Sequence, residues 1–351
     1  MRRMPGTGER AYAYAKACGI IGKSFVGKRI RRLEGVSRLS ELDRMVFPQS
    51  SRDLPEKELL LDLEKRITGR SVNSIISIVK SFSAVPEFLK LLVRSYEYAD
   101  LKTAISNIQD GDGKAPVHTD IGEFQTVKFD AWPDLTAMIK GTEFEFLLDK
   151  KIVKDEKQAG ILMQTLLDRH YYSALWESLL ALPEKDRHAA EKILSDEISL
   201  RNSGWALRLR TYYRMTAEEV KSHLVNLSVH KKNPYGRETV PRTLAHDALV
   251  SLEFPLDNLA AWSAWHWNSF LNPESGGRRW KVDPRHFQNA ASLYLYHLSK
   301  HHFRSSPFSL DTVFCFIKLK QFEEDVLTSS AEGLGMGMSS RDIFSMLGVE
   351  S

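Results

Sequence analysis

Between Ser195 and Leu224 the chain reads SDEISLRNSGWALRLRTYYRMTAEEVKSHL, and its apolar residues return at helical intervals. Ile198, Asn202, Trp205, Leu209 and Tyr212 follow steps of four and three, which lines them along one helix face. Arg201, Arg208, Arg210 and Arg214 surround that seam with long side chains that can cover apolar surface while their charge stays in water. One polar residue, Asn202, sits inside the seam. After Met215 the helix restarts: Thr216 is an N-cap and Glu219, three residues on, completes a capping box. Helical periods of this kind dominate the sequence, and hairpin signals are nearly absent. The chain is therefore read as all-α.

At 351 residues the chain exceeds what one hydrophobic core usually serves, so two or three domains are expected. Forty-nine basic residues against forty-five acidic give a net charge of +4, which neither demands nor excludes an anionic partner. Two cysteines, Cys18 and Cys315, are too few for a disulfide framework and fit a reducing cytoplasm. Arg10 and Lys16 interrupt any signal-peptide core. The longest uncharged run, Asn258 to Pro273, is too short and polar for a membrane span. A soluble cytoplasmic protein is expected.

In chain order, Gly6 to Gly27 carries a small-residue helix, and the segment from Lys23 to Arg38 is basic. Ser40 and Asp43 fit a capping box before a turn that ends at Pro48. Helices are expected from Asp53 through Ile67, from Asn73 to Ser83 and from Pro86 onward. QDGDGKAP (Gln109–Pro116) reads as a linker, and His118 to Lys128 as a short extended piece. Further helices are expected over Asp134–Lys150, Glu156–Leu182, Leu244–Phe254, Leu256–Leu271, Pro284–Phe303, Leu310–Thr328 and Ser340–Leu347. KKNPYGRETVP (Lys231–Pro241) is a second linker-like piece, and Gly333, Gly335 and Gly337 read as a hinge.

One unit recurs. MTAEEVKSHL (Met215–Leu224) and MSSRDIFSML (Met338–Leu347) share Met, a hydroxyl cap, an acid at N3, a β-branched residue, Ser and Leu. RSYEYADLKTAI (Arg94–Ile105) supplies part of a third copy, with Glu97, Asp100 and Thr103 in register with Ser199, Asn202 and Trp205. A repeat at roughly a third of the chain means related helical domains, not a solenoid.

The motifs of catalysis are missing their contexts. Gly22-Lys23-Ser24 lacks the earlier glycine of a phosphate loop, since Ala17 stands there, and a helix precedes it instead of a strand. Gly333, Gly335 and Gly337 follow no strand either. His297 and His301 lie one turn apart with His302 adjacent, but lack the glutamate and third ligand of a zinc site, so they read as a solvated helix end. His170 reads as an interfacial side chain, and Glu323, Glu324 and Asp325 as a solvated acidic face. No catalytic, cofactor or metal residues are assigned. The basic cluster holding Lys28, Arg29, Arg31 and Arg32 is the candidate partner interface. For nucleic acid it would want interleaved aromatics, and only Phe25 is there.

The recurring units resemble a known family, the C subunits of V-type and A-type ATPases and ATP synthases, whose eukaryotic members are the d subunits. The resemblance runs through FVGKRIRRLEGVSRLSELDRMVFP (Phe25–Pro48), RSYEYADLKTAI, LLDRHYYSAL (Leu166–Leu175), SLRNSGWALRLRTYY (Ser199–Tyr213) and SPFSLDTVFCFIKLKQFEEDVLTSSAEGLGMG (Ser306–Gly337). The family often pairs an acid with an Asn three residues later. Here the units carry Glu97 with Asp100, Ser199 with Asn202 and Glu323 with Val326, so a buried polar pair that sets helix register is the economical reading. The resemblance implies three similar helical domains in a pseudo-threefold funnel or socket, at residues 1–125, 126–236 and 237–351. It implies a non-catalytic central-stalk component on the cytoplasmic face, coupling the central shaft (D- and F-type subunits) to the membrane rotor ring for proton or sodium transport. No cofactor and no nucleic acid are expected. The alternative is a helical nucleic-acid-binding or scaffold protein using residues 23–38.

Overall fold

Long amphipathic helices with apolar residues on more than one side need neighbours on more than one side, and that requirement sets the architecture. The computed structural model describes residues 5–111, 113–149, 159–229, 242–274 and 279–348. The protein is all-α: apart from a two-residue antiparallel pair, Ser228–Val229 against Arg242–Thr243, every regular element among the described residues is helical. The α-helices are α1 (Thr7–Ile21), α2 (Leu39–Val46), α3 (Glu56–Val79), α4 (Glu87–Gln109), α5 (Leu135–Ile139) and α6 (Ala159–Leu180). They continue with α7 (His188–Tyr212), α8 (Ala217–Lys221), α9 (His246–Ser251), α10 (Pro284–His302), α11 (Leu310–Gly335) and α12 (Ser340–Leu347).

The principal packings are α3 on α11, α4 on α6, α7 on α10 and α10 on α11. The two ends of the chain thus share a core: Leu63, Ile67 and Ile75 of α3 are buried in the same apolar cluster as Phe314, Phe316 and Leu327 of α11. α7 feeds three clusters. Its first half (Ile193, Leu194, Ile198) joins the large one, Leu200 and Leu207 meet the tryptophans, and Ala206 and Leu209 face Val220 and Leu224. Tyr212, placed on the seam by its spacing, is instead exposed at the helix end.

The capped restart is present twice. Thr216 caps α8 with Glu219 reaching back to its N–H at 2.7 Å, and Ser339 accepts from the Asp342 N–H at 3.2 Å at the start of α12. Each cap stands two residues after one in the left-handed region: Arg214 at φ 55° and Gly337 at φ 76°. The turns share that left-handed residue but close differently: the Met215 N–H reaches Leu209 O, six residues back, whereas the Met338 N–H reaches Gly333 O, five back.

Several boundaries differ from those the sequence predicts. α3 runs unbroken where the spacing predicts two helices, because the burial of Ile67, Val72, Ile75 and Ile78 carries the helix through Gly69. Among its described residues Asp134–Lys150 holds only α5 and a 3-10 turn at Glu145–Leu148, interrupted by Gly141 at φ 80°. His118–Lys128 forms no strand; a 3-10 turn at Gly122–Phe124 lies within it. Leu256–Leu271 is not a helix but two short 3-10 turns. Its indoles donate to Pro255 O (2.8 Å), Asp247 O (2.8 Å) and Ser199 Oγ (3.2 Å), from Trp262, Trp265 and Trp267 respectively. Helical geometry would not send all three to those partners. Ser40 does not cap α2; Ser37 meets the Glu41 carboxylate instead, and Asp43 is buried on Arg66 (2.8 Å). α11 continues through Gly333 and Gly335, and the chain turns only at Gly337. A Cβ on Gly333 would stand 2.7 Å from Ile343, so that glycine lets α12 lie close. The linker-like stretch Lys231–Pro241 lies outside the described residues.

Candidate functional site

The basic segment folds by a three-residue period. Ile30, Leu33, Val36 and Leu39 are buried, while Lys28, Arg29, Arg31, Arg32 and Arg38 reach solvent. Three residues per turn is the 3-10 repeat, and residues 27–35 form a 3-10 helix, long for that class. Only one of its three side-chain rows faces the core, so the cations occupy both others. All four candidate residues therefore reach solvent together. Among the described residues none of the four forms a salt bridge or a side-chain hydrogen bond.

What holds this segment is a buried ionic cluster on α11. The Phe25 N–H donates to Glu323 Oε1 at 2.7 Å, and Lys320 donates to the other oxygen of the same carboxylate. Arg70 of α3 stands 3.7 Å from Glu323, and the Gly27 N–H donates to the Tyr296 hydroxyl of α10 at 2.7 Å. Burial pulls the Lys320 pKa down, and Glu323 opposes that pull. The sequence places Glu323 on a solvated face; it is buried, because its partner N–H comes from a segment 298 residues away that spacing does not connect to it. Glu324 is half-buried and accepts from Tyr96 OH at 2.6 Å. Of the run, Asp325 alone is exposed, at a cleft of about 270 Å³ shared with Asn289, Ser292 and Glu332. Although Asp325 as a residue is exposed, the cleft walls strip water from its carboxyl, and that desolvation, then Glu324, pushes it up to about 7 against the pull of Lys318.

The same device occurs on two other helices. On α4, Glu97 accepts from the Val127 N–H (2.6 Å), from the Thr126 N–H and from Arg94 Nε (2.8 Å). Arg94 also reaches Glu143 at 2.9 Å; burial lowers its pKa, and the two carboxylates more than offset that. On α7, Asn202 accepts from the Val225 N–H at 2.8 Å and donates to the Val225 carbonyl at 2.9 Å. Three residues earlier, Ser199 donates to Asp247 at 2.9 Å. In each case a polar side chain in mid-helix latches the backbone of a crossing segment. The latched positions, 25, 126–127 and 225, stand about 100 residues apart. Asn202, which matches Asp100 in sequence, plays the part of Glu97; Asp100 itself accepts from the Thr119 N–H at 2.7 Å. The polar pair thus fixes a loop to a helix. A base–x–x–acid spacing inside an apolar run, Arg94 with Glu97 and Lys320 with Glu323, is the signal in the sequence for two of the three.

The other candidate residues are scattered. Ser24 is buried and its hydroxyl bonds Ile20 O at 3.1 Å, so Gly22-Lys23-Ser24 is the end of a helix turn. His297 and His301 lie on the last turns of α10. His170 bonds the Tyr98 hydroxyl at 2.7 Å and stacks on Phe146, with burial lowering its pKa. A network joins α4, α6 and α7 through Asp168, which meets Lys102 (2.5 Å) and Arg201 (2.7 Å).

Comparison with known proteins decides the family. The family model described as ATP synthase (C/AC39) subunit matches residues 53–346. The chain belongs to this family. It is the family of the V/A-type ATPase C subunits, in agreement with the resemblance drawn from the sequence. An uncharacterized protein of Treponema pallidum (strain Nichols) is 26% identical over 326 residues, covering 93% of this chain and 92% of that relative. The span matched by the C/AC39 family begins after the basic segment and contains all three latching helices.

Proposed function

We propose that the protein is the non-catalytic central-stalk subunit of a V-type/A-type rotary ATPase, a rigid socket that couples the central shaft to the membrane rotor ring. The observation that carries the reading is the family match across residues 53–346. The latches support it physically. Passing torque requires that crossing segments do not slide on the helices beneath them, and each latch ties a loop's backbone to a buried side chain. The near-hundred-residue interval supports three units, proposed at residues 1–125, 126–236 and 237–351, arranged as a funnel. The partners proposed are the D- and F-type shaft subunits and the ring, on the cytoplasmic face. No helix among the described residues is long and apolar enough to cross a membrane, which fits attachment through partners. Lys28, Arg29, Arg31 and Arg32 are the proposed contact to an acidic or carbonyl-rich surface.

The test is affinity purification of the tagged full chain from its own membranes. Shaft and ring subunits are expected in the eluate. Recovery of the chain alone, binding RNA with a steep salt dependence, would favour the nucleic-acid alternative. Burial of Phe25, the one aromatic in the basic segment, already counts against base stacking there.

A further inference from the structure

Residues 23–38 hold six cations, Lys23, Lys28, Arg29, Arg31, Arg32 and Arg38, against the single acid Glu34, a surplus greater than the +4 of the whole chain. The rest of the chain carries a net charge near zero, so this segment accounts for the whole of the chain's positive surplus. The segment is also joined to a second unusual feature. Gly27 lies against the end of Lys300, whose Nζ is 3.8 Å from where a Cβ of residue 27 would stand. Just past the end of α10 come the buried Phe303 and the exposed Arg304. Phe303 packs on Tyr14 at 6.1 Å between ring centroids, and Tyr14 meets Phe308 edge-on at 5.4 Å. Phe308 is 46% exposed and sits at φ 66°, a left-handed backbone that a bulky side chain takes up only under strain. A half-exposed aromatic ring kept at that cost, four residues after the exposed Arg304, has the mix of aromatic and cation found at membrane interfaces.

We propose that this edge, from Lys28 through Lys300 and Arg304 to Phe308, binds the headgroup layer of anionic phospholipids, with the cations on phosphate and ester carbonyl oxygens and Phe308 entering the boundary below them. The proposal rests on the stalk reading, which brings the chain to a membrane, and adds direct lipid contact to attachment through protein partners. The exposed cations lie on both outer rows of the 3-10 helix and are not gathered on one. That spread suits an extended layer of charge more than one matched carboxylate.

The experiment is co-sedimentation of the purified full chain with vesicles of phosphatidylcholine alone or mixed with phosphatidylglycerol, over a salt series. Binding is expected only to the anionic vesicles and to weaken as salt rises. Reversing Lys28, Arg29, Arg31 and Arg32 to Glu is expected to lower it by roughly six-hundredfold or more, at about fivefold per cation. Phe308→Gly, which accepts the left-handed backbone freely, is expected to lower it several-fold with the melting temperature held. No anionic preference, an unchanged affinity in both variants, or RNA binding in place of vesicle binding would overturn the proposal. Co-purification with the ring and shaft, measured on Phe308→Gly, which leaves the cations of the proposed partner contact in place, separates the two readings. Vesicle binding lost with assembly intact supports lipid contact on an otherwise sound stalk component. Vesicle binding by a chain that never assembles leaves the lipid surface and removes the stalk.

Discussion

The residues that matter most here are polar and buried. Glu97 and Glu323 each neutralise a buried base and accept a backbone N–H from a crossing segment, so neither is replaceable by a merely apolar side chain. Glu97→Ala leaves Arg94 with one carboxylate fewer and two backbone donors unpaired. Denaturant unfolding is expected to register a loss of about 3–5 kcal/mol, and Glu97→Gln a smaller one because its carbonyl still accepts. Asp325 behaves oppositely. Its folded carboxyl titrates near 7, above the ordinary value of 3.8. Between those values the folded protein holds the extra proton, so this group's contribution favours folding below about pH 4 and is lost as pH rises through 7. Asp325→Asn should therefore raise the melting temperature at pH 8 and leave it unchanged at pH 3.5, discounted for the open side of the cleft. An equal shift at both pH values would contradict the assignment.

At the scale of elements, the 3-10 helix and the capped restarts separate core from surface. Leu33 is buried in the row that faces the body, and Leu33→Ala is expected to cost about 2–5 kcal/mol. Arg32→Ala, in an exposed row, should change stability by less than about 0.5 kcal/mol. Gly333→Ala drives a methyl into Ile343 and should destabilise by about 1–3 kcal/mol, with α12 losing hydrogen-exchange protection first. Much of this is legible in the sequence. The α12 boundaries, the Thr216 cap and the outward basic residues follow from local spacing. The Trp262–Trp267 segment does not, because a tryptophan's destination depends on which distant carbonyl its N–H finds. The burial of Glu323 is hidden for the same reason: its partner lies at the other end of the chain.

That last contact shapes the whole molecule. Two latches join segments 23 to 30 residues apart, while the third ties Phe25 to α11 across 298 residues and brings the chain's first quarter onto its last long helix. Arg10 with Asp186 adds a second long-range tie, from α1 to the turn before α7. In Glu323→Ala, hydrogen exchange should rise selectively over residues 7–39, whereas a uniform rise would mean that the contact is not a local fastening. Under the proposed stalk role a fastened body is the property that counts, since slack between shaft and ring would dissipate rotation. The central claim is tested most directly in membranes from cells that lack this chain, by measuring ATP hydrolysis and ATP-driven ion uptake on the same vesicles. Hydrolysis that continues while uptake is lost, with both coupled again on restoring the full chain, is the predicted result. Uptake that keeps its ratio to hydrolysis without the chain would contradict the account.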